Sequence, residues 1–340
     1  MAEVSPGGGN TFVPTFSEAT GLVQIEFSRN PTKYAVNTYT KLVPTEKTDG
    51  YYLSIDEEEA ARIVTLADSA WGDGQDKPEG GNIDHEFTAF RTTRHTFPFK
   101  LGDKAVQNAD FDVIAAHARA HASKCMRLRT YKATTAMTTT GSWPTGTTDT
   151  AANVGGGQFT GSTAAQGYIQ LAFNGVVEAI SNNTNEVVEP KDITAVMNDV
   201  AAHAITESPE YKAYFQGSPY AAGFVAGGRD GFDEFSLLST FFGVGRIVVD
   251  KTTRITNRKG GTKARSKMID DDVVFVSRVG GQMGVENVPD FSTVTIFAYE
   301  DMTVETFDDR ENRRVRGSVT DDVTAVLTAP LSGYLLQDVY

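Results

Sequence analysis

Residues 56–100 would be hard to fold onto a compact core, and that limits every architecture open to the chain. The stretch opens with four consecutive carboxylates, Asp56, Glu57, Glu58 and Glu59, and is then interrupted by Gly72, Gly74, Pro78, Gly80 and Gly81. Acidic runs demand water, and Gly/Pro interruptions break the periodicity by which a helix or strand buries one face. Strand-like alternation returns only at Phe87, Phe90, Thr93, His95 and Phe97. The segment reads as a long extended excursion from a folded body. The rest of the chain can supply that body: of 340 residues, 40% are apolar and 22% charged, an ordinary globular mixture. The length suits two domains, or one domain with large insertions.

On the N-terminal side, residues 1–9 are a flexible tail by composition, and Phe16–Ser28 has the apolar spacing of a short helix with Ser17 as its cap. Tyr34, Val36, Tyr39, Leu42 and Val43, then Tyr51 through Ile55, predict strands joined by a hairpin turn at Asp49-Gly50. Residues 109–128 predict the strongest helix. Asn108 would cap it, Asp110 and Asp112 would sit at its positive end, and Lys124, Arg127 and Arg129 at its negative end. Its apolar stripe is narrow (Ile114, Ala118, His121, Cys125, Leu128), and its length of roughly 30 Å crosses a whole domain.

A Thr-rich stretch over 134–150 reads as a loop or poorly packed strands. Ile169, Phe173, Val176, Val177 and Ile180 then mark a second helix that closes at Asn182-Asn183. Ile193–Met197 predicts a short buried strand, and Asn198 caps a helix opening at Asp199. Pro209 starts another helix after Ser208. From Val244 onward the texture is mostly β, with candidate strands at 244–256, 272–279, 293–300, 302–307, 312–319 and 324–338. The fold class expected is mixed α/β or α+β.

Several functional classes are disfavoured. The formal charge of −13 repels phosphate backbones and anionic membranes. A lone Cys125 allows no intrachain disulfide and no thiolate zinc cluster, and points to folding in a reducing interior. No apolar run reaches 18 residues, and the N-terminus shows no signal-peptide pattern. His117 and His121 stand four apart on the long helix, a spacing that can hold zinc. Ala118 occupies the place where a metalloprotease motif needs Glu, however, so the pair reads as packing. The glycine clusters at 155–157, 227–228 and 243–245 lack nucleotide-loop spacing and read as turns, and no G-x-S-x-G elbow occurs. We therefore assign no catalytic residue, metal or cofactor.

One segment runs against the overall charge. Lys251, Arg254, Arg258, Lys259, Lys263, Arg265 and Lys267 lie in a stretch free of acidic residues, with Gly260-Gly261 at its centre. This predicts a long β-hairpin with a basic tip, which reads either as a solvated loop, since exposed pairs contribute little, or as a docking element for an acidic patch such as Asp56–Glu59 on another copy of the chain.

The order of parts resembles the major capsid protein family of tailed bacteriophages, a fold shared with encapsulin shells. Trp71 through Lys77-Pro78-Glu79 looks like the tip of that family's extended loop. Residues 109–128 look like its spine helix, and Ile193–Asn198 looks like the strand entering its axial domain. Thr293–Phe307 and Tyr334–Val339 look like its late strands. The resemblance implies an α+β fold with an N-terminal arm (1–33) and an extended loop with flanking strands (34–105). A peripheral domain with the spine helix and the second helix (106–190) and an axial domain with returning peripheral strands (191–340) would follow.

The same resemblance implies a structural subunit of an icosahedral head that self-assembles as hexamers and pentamers around double-stranded DNA, bound without sequence specificity. It would be located in the virion and made in the host cytoplasm. A scaffolding protein, a portal and a decoration protein are implied partners. Expected intersubunit contacts are Asp56, Glu57, Glu58, Glu59, Trp71, Lys77, Glu79, Arg254, Arg258, Lys259 and Lys263. The competing readings are an encapsulin-like compartment, a tail-associated virion protein, and a metal-dependent hydrolase using His117 and His121.

Overall fold

The structure is a computed structural model that describes residues 31–55, 85–109, 112–155, 158–159, 168–215, 235, 237–255, 257, 261–262, 264–280 and 291–339. Its elements, numbered in chain order, begin with α1 (Val36–Tyr39), β1 (Lys41–Pro44), β2 (Asp49–Ile55), β3 (His85–Arg91) and β4 (Thr93–Gly102). There follow α2 (Asp103–Gln107), α3 (Val113–Thr138), β5 (Thr148–Thr150), α4 (Ala151–Gly155), α5 (Tyr168–Asn183) and β6 (Ile193–Asn198). Next come α6 (Asp199–Glu207), α7 (Pro209–Phe215), α8 (Leu238–Phe242), β7 (Arg246–Asp250), β8 (Thr253–Ile255) and β9 (Arg265–Lys267). The chain closes with β10 (Val273–Arg278), β11 (Val294–Asp309), β12 (Arg314–Leu327) and β13 (Tyr334–Gln337).

Two sheets organise these elements. A five-stranded sheet runs β5-β13-β10-β6-β7, and a four-stranded sheet runs β1-β11-β12-β4. The five-stranded sheet is buried on both faces, which is why its strands read as unbroken apolar runs. Ala195, Met197, Val274, Val276, Tyr334 and Leu336 point to one face, where they pack with Phe173, Val176 and Ile180 of α5 and with α6 and α8. Val196, Val248, Phe275 and Leu335 point to the other, against Tyr34, Tyr39 and the Met126, Ala133 and Met137 side of α3. Each large side chain so buried contributes roughly 1.5–3 kcal/mol. The sheet is thus a wall shared by two cores.

The four-stranded sheet separates two different neighbours. Val294, Ile296 and Ala298 of β11 alternate toward the core beneath α3. Phe297, with the opposite parity, faces the other side, where Phe90 stacks on it at 4.0 Å and Tyr52 at 6.2 Å between centroids. The β2–β3 ribbon and the long helix therefore lie on opposite faces of this sheet.

Several local expectations hold. Helix α5 spans the predicted apolar period, and Pro209 opens α7. Asn198 caps α6 by accepting from the Ala201 amide at 2.7 Å. At 243–245, Gly243 ends α8 at φ +67°, and a Cβ on Gly245 would lie 1.8 Å from the Lys191 carbonyl oxygen, so the turn and the close approach both require glycine.

Others are corrected. Tyr34–Tyr39 is a helical turn: Thr40 donates both its amide and its hydroxyl to the Val36 carbonyl and closes α1, placing Tyr34, Val36 and Tyr39 in one core. Asp49-Gly50 lies inside β2, opposite Arg91 and Phe90, and β1 pairs in parallel with β11 rather than forming a hairpin with β2. The cap of the long helix is Asp112, whose carboxylate accepts from the Ala115 amide at 2.9 Å; Asn108 ends α2 instead. The helix also runs on to Thr138, which puts Lys124, Arg127 and Arg129 in its middle. The segments read as 293–300 and 302–307 form one strand, β11, with a bulge around Glu300–Thr303. The helix predicted over Phe16–Ser28 lies outside the described residues.

Candidate assembly interface

The β2–β3 ribbon is the element whose own faces disagree most. Antiparallel register sets Gly50 opposite Phe90 and Tyr52 opposite Thr88, and this face stacks on Phe297. Gly50 is needed there, because a Cβ would sit 2.9 Å from the Phe90 ring. The other face sets Tyr51 opposite Ala89 and Leu53 opposite Phe87. Tyr51 is 72% exposed, Phe87 68% and Leu53 46%. Three large apolar side chains in one patch of a two-stranded ribbon mark an interaction surface. The chain leaves this ribbon directly into Asp56–Glu59 and re-enters it at His85.

The long helix is locked to the four-stranded sheet by charge. Arg129 of α3 donates through Nε to Asp321 Oδ2 at 2.9 Å and through a terminal nitrogen to Asp321 Oδ1 at 2.5 Å. A further bond reaches Asp301 Oδ1 at 2.5 Å. Burial works against the guanidinium charge, yet the hydrogen bonds and charges of Asp321 and then Asp301 raise its pKa further above its ordinary high value. One turn on, Lys132 donates to the Val323 carbonyl. No sequence motif signals this clamp, since its members stand 192 positions apart; an Arg inside a helix otherwise free of carboxylates is the only hint.

His117 and His121 are each engaged within the fold. His117 Nδ1 lies 2.9 Å from the Val113 carbonyl oxygen, and His121 stacks on Phe99 at 5.5 Å. Phe99 in turn lies over Gly317, where a Cβ would meet the ring at 2.2 Å. Burial, then Lys124 and His117, push the His121 imidazole down to about 4. Burial first, then Asp321, pushes the Cys125 thiol up to about 12. Among the described residues, no group of three or more His, Cys, Asp or Glu side chains is placed to hold a metal ion. A polar notch of about 310 Å³ between α2 and the β11–β12 turn has Asp309 on its wall, already bound by Arg314 and Arg316. Among the described residues, no helix is long and apolar enough to cross a membrane.

Of the predicted contact residues, Arg254 is described: it lies on β8, which pairs antiparallel with β9 as the base of the predicted basic hairpin. Its guanidinium stacks over Tyr131 of α3 at 5.0 Å. Asp56, Glu57, Glu58, Glu59, Trp71, Lys77, Glu79, Arg258, Lys259 and Lys263 lie outside the described residues.

No protein-family model matches the chain, and no curated protein matches it. Solved structures do. A phage-related protein from Bordetella bronchiseptica RB50 aligns with a TM-score of 0.65 at 14% identity, over 91% of this chain and 93% of that one. The capsid of an empty GTA particle aligns at 0.57 and 13% identity, over 96% of both chains. The mature capsid of bacteriophage PhiM1 aligns at 0.53 and 12% identity, over 99% of this chain and 96% of that one. The chain therefore has the α+β fold of phage major capsid proteins.

Proposed function

We propose that the chain is the structural subunit of an icosahedral virus head, self-assembling into a shell that encloses double-stranded DNA. The observation that carries this reading is the β2–β3 ribbon, bound to its own body on one face and bare on the other, within a chain that has a shell-forming fold throughout. An obligate assembly buries large apolar surfaces on neighbouring copies, and a ribbon of this kind is stable only when so covered. The hydrolase alternative is not supported, because the His117 and His121 rings are engaged with Val113 and Phe99.

On this reading Asp56–Glu59, Trp71, Lys77 and Glu79 belong to an intersubunit loop, and Arg258, Lys259 and Lys263 to a hairpin tip that docks on a neighbour. Scaffold, portal and decoration proteins are partners by the same reasoning. The arm covers 1–33 and the loop 34–105. The second helix, α5, expected in the peripheral part, shares its core with the five-stranded sheet, so we place it on the axial side instead, leaving α3 and the four-stranded sheet in the peripheral part.

Deleting residues 70–82 tests the loop assignment: the subunit should fold, judged by circular dichroism, and fail to close shells under the electron microscope. Normal particles from that variant refute it. Reversing Arg258, Lys259 and Lys263 to Glu should impair assembly most at low salt, where screening is weakest. Assembly that is unchanged across ionic strength refutes the docking role of the hairpin.

A further inference from the structure

Helix α3 carries Arg119, Lys124, Arg127, Arg129 and Lys132, and not one Asp or Glu over its 26 residues. In a chain of charge −13 this concentration requires an account. Two of the cations are explained by the fold: Arg129 turns inward to Asp321, and Lys132 to the Val323 carbonyl. Lys124, Arg127 and Tyr131 fall at i, i+3 and i+7 and so share one face, spanning about 10 Å of helix. Lys124 is exposed and Tyr131 is 42% exposed. Arg127 donates to the Tyr34 hydroxyl over a long 3.4 Å. Arg254, arriving from β8, lies flat on Tyr131 and is oriented by a bond to Ser266 Oγ at 3.3 Å.

Three cations are thus held along one rigid face by a helix that supplies no carboxylate to neutralise them. Like charges at this spacing repel, so the face is matched to an anion outside the subunit. We infer that Lys124, Arg127 and the Tyr131–Arg254 stack form a phosphate-binding face whose occupant is the backbone of enclosed double-stranded DNA. This rests on the reading of the chain as a shell subunit.

Position selects DNA over the acidic segment of a neighbour. Helix α3 lies on the opposite face of the four-stranded sheet from the β2–β3 ribbon, and Asp56–Glu59 follow that ribbon directly. In a shell whose copies all face the same way, the β2–β3 ribbon and the helix face look to opposite sides of the four-stranded sheet, so a partner docked on the ribbon does not cover the helix face. The net negative charge of the subunit keeps such contacts weak and readily exchanged, as movable packaged DNA requires. The molecule as a whole, at a net charge of −13, repels phosphate backbones, and this face is a local exception.

The test uses the full-length free subunit and a random-sequence 30-base-pair duplex, with affinity measured between 50 and 200 mM salt. Three phosphate contacts give a log–log slope of about −2.7, an affinity loss of about 40-fold over that range. Lys124→Glu/Arg254→Glu should weaken binding about tenfold or more at 50 mM and flatten the slope to about −1 or less. Lys47→Glu, an exposed change on the loop between β1 and β2, should leave both unchanged. Circular dichroism confirms that the variants fold, and Lys124→Arg should retain the wild-type slope if the double variant does not fold.

A wild-type affinity with no salt slope overturns the inference, as does a double variant that binds like Lys47→Glu. A double variant that binds duplex normally but fails to form shells also overturns it, in favour of a contact between copies. Shell formation by the wild type is scored separately by microscopy. Shells without duplex binding sink this inference alone, whereas absence of shells sinks the capsid reading.

Discussion

Removing Arg129 while leaving Asp321 should be the most damaging single change around the four-stranded sheet. Arg129 is 3% exposed and Asp321 0%, so the variant Arg129→Met strands a carboxylate in the core. That carboxylate would keep the Met302 amide at a long 3.4 Å and the more distant charge of Lys132. Breaking a buried pair by removing one partner costs about 3–5 kcal/mol, a large share of a typical stability of about 5–15 kcal/mol. With a urea m-value of about 3 kcal/mol/M, the unfolding midpoint should fall by about 1–1.7 M. Replacing both partners, Arg129→Met with Asp321→Leu, removes the stranded charge and should recover most of that loss. Asp301 is 54% exposed, so Asp301→Ala should cost about 1 kcal/mol or less.

The pH behaviour follows from the raised Arg129 pKa. A cation whose folded pKa exceeds its unfolded value contributes fully below the unfolded value, so the clamp should persist through alkaline pH up to about 12. Urea titrations of the free subunit followed by circular dichroism measure all of these. A loss below about 1 kcal/mol in Arg129→Met, or a double variant as unstable as the single one, would refute the argument that the clamp is a buried, mutually dependent pair.

The His121 imidazole is held down to about 4, so between its unfolded value near 6.5 and 4 the unfolded chain binds a proton that the folded chain does not. Stability should therefore fall as pH drops through that window, and His121→Leu should flatten part of the slope in thermal midpoints measured against pH. His95 is lowered as well, chiefly by burial, and should supply a remaining part. Gly317→Ala should force Phe99 off its seat against His121 and cost about 1–3 kcal/mol by overpacking, read from the same urea titrations; a neutral result would mean that the ring has room to move.

Local chemistry was legible in the sequence wherever a single residue type decides the backbone. Asn198, Pro209 and the apolar period of α5 each act through their own neighbours, and each was read correctly. The long helix was read ten residues short because its last turns are rich in threonine, normally a poor helix former. The structure resolves this: the Thr130, Thr134 and Thr138 hydroxyls donate to the carbonyls of Met126, Thr130 and Thr134, four residues back, so their polar groups are satisfied inside the helix.

Tyr34–Tyr39 misled for the opposite reason. Its aromatic and β-branched residues favour strands in isolation, yet they are fixed as a turn by packing against α3 and β10, which lie far away in the chain. The Arg129–Asp321 clamp and the parallel pairing of β1 with β11 are likewise non-local and leave no pattern in any short window. The excursion read over 56–100 is corrected in its second half: β4 pairs with β12 along its whole length and Phe90 stacks on Phe297, partners more than 200 positions away that no short window shows. The exposed face became visible only when the β2–β3 register separated Tyr51, Leu53 and Phe87 from Tyr52 and Phe90.

The central claim is that this chain builds a closed shell around DNA. The most direct test is electron microscopy of the purified chain, expressed alone and then with a candidate scaffolding protein, combined with nuclease-protected nucleic-acid analysis of any particles. The account predicts closed polyhedral shells, with protected double-stranded DNA in particles recovered from the complete packaging system. A uniform monomer or small oligomer under every condition would contradict the shell, and closed particles that contain only protein cargo would contradict the genome.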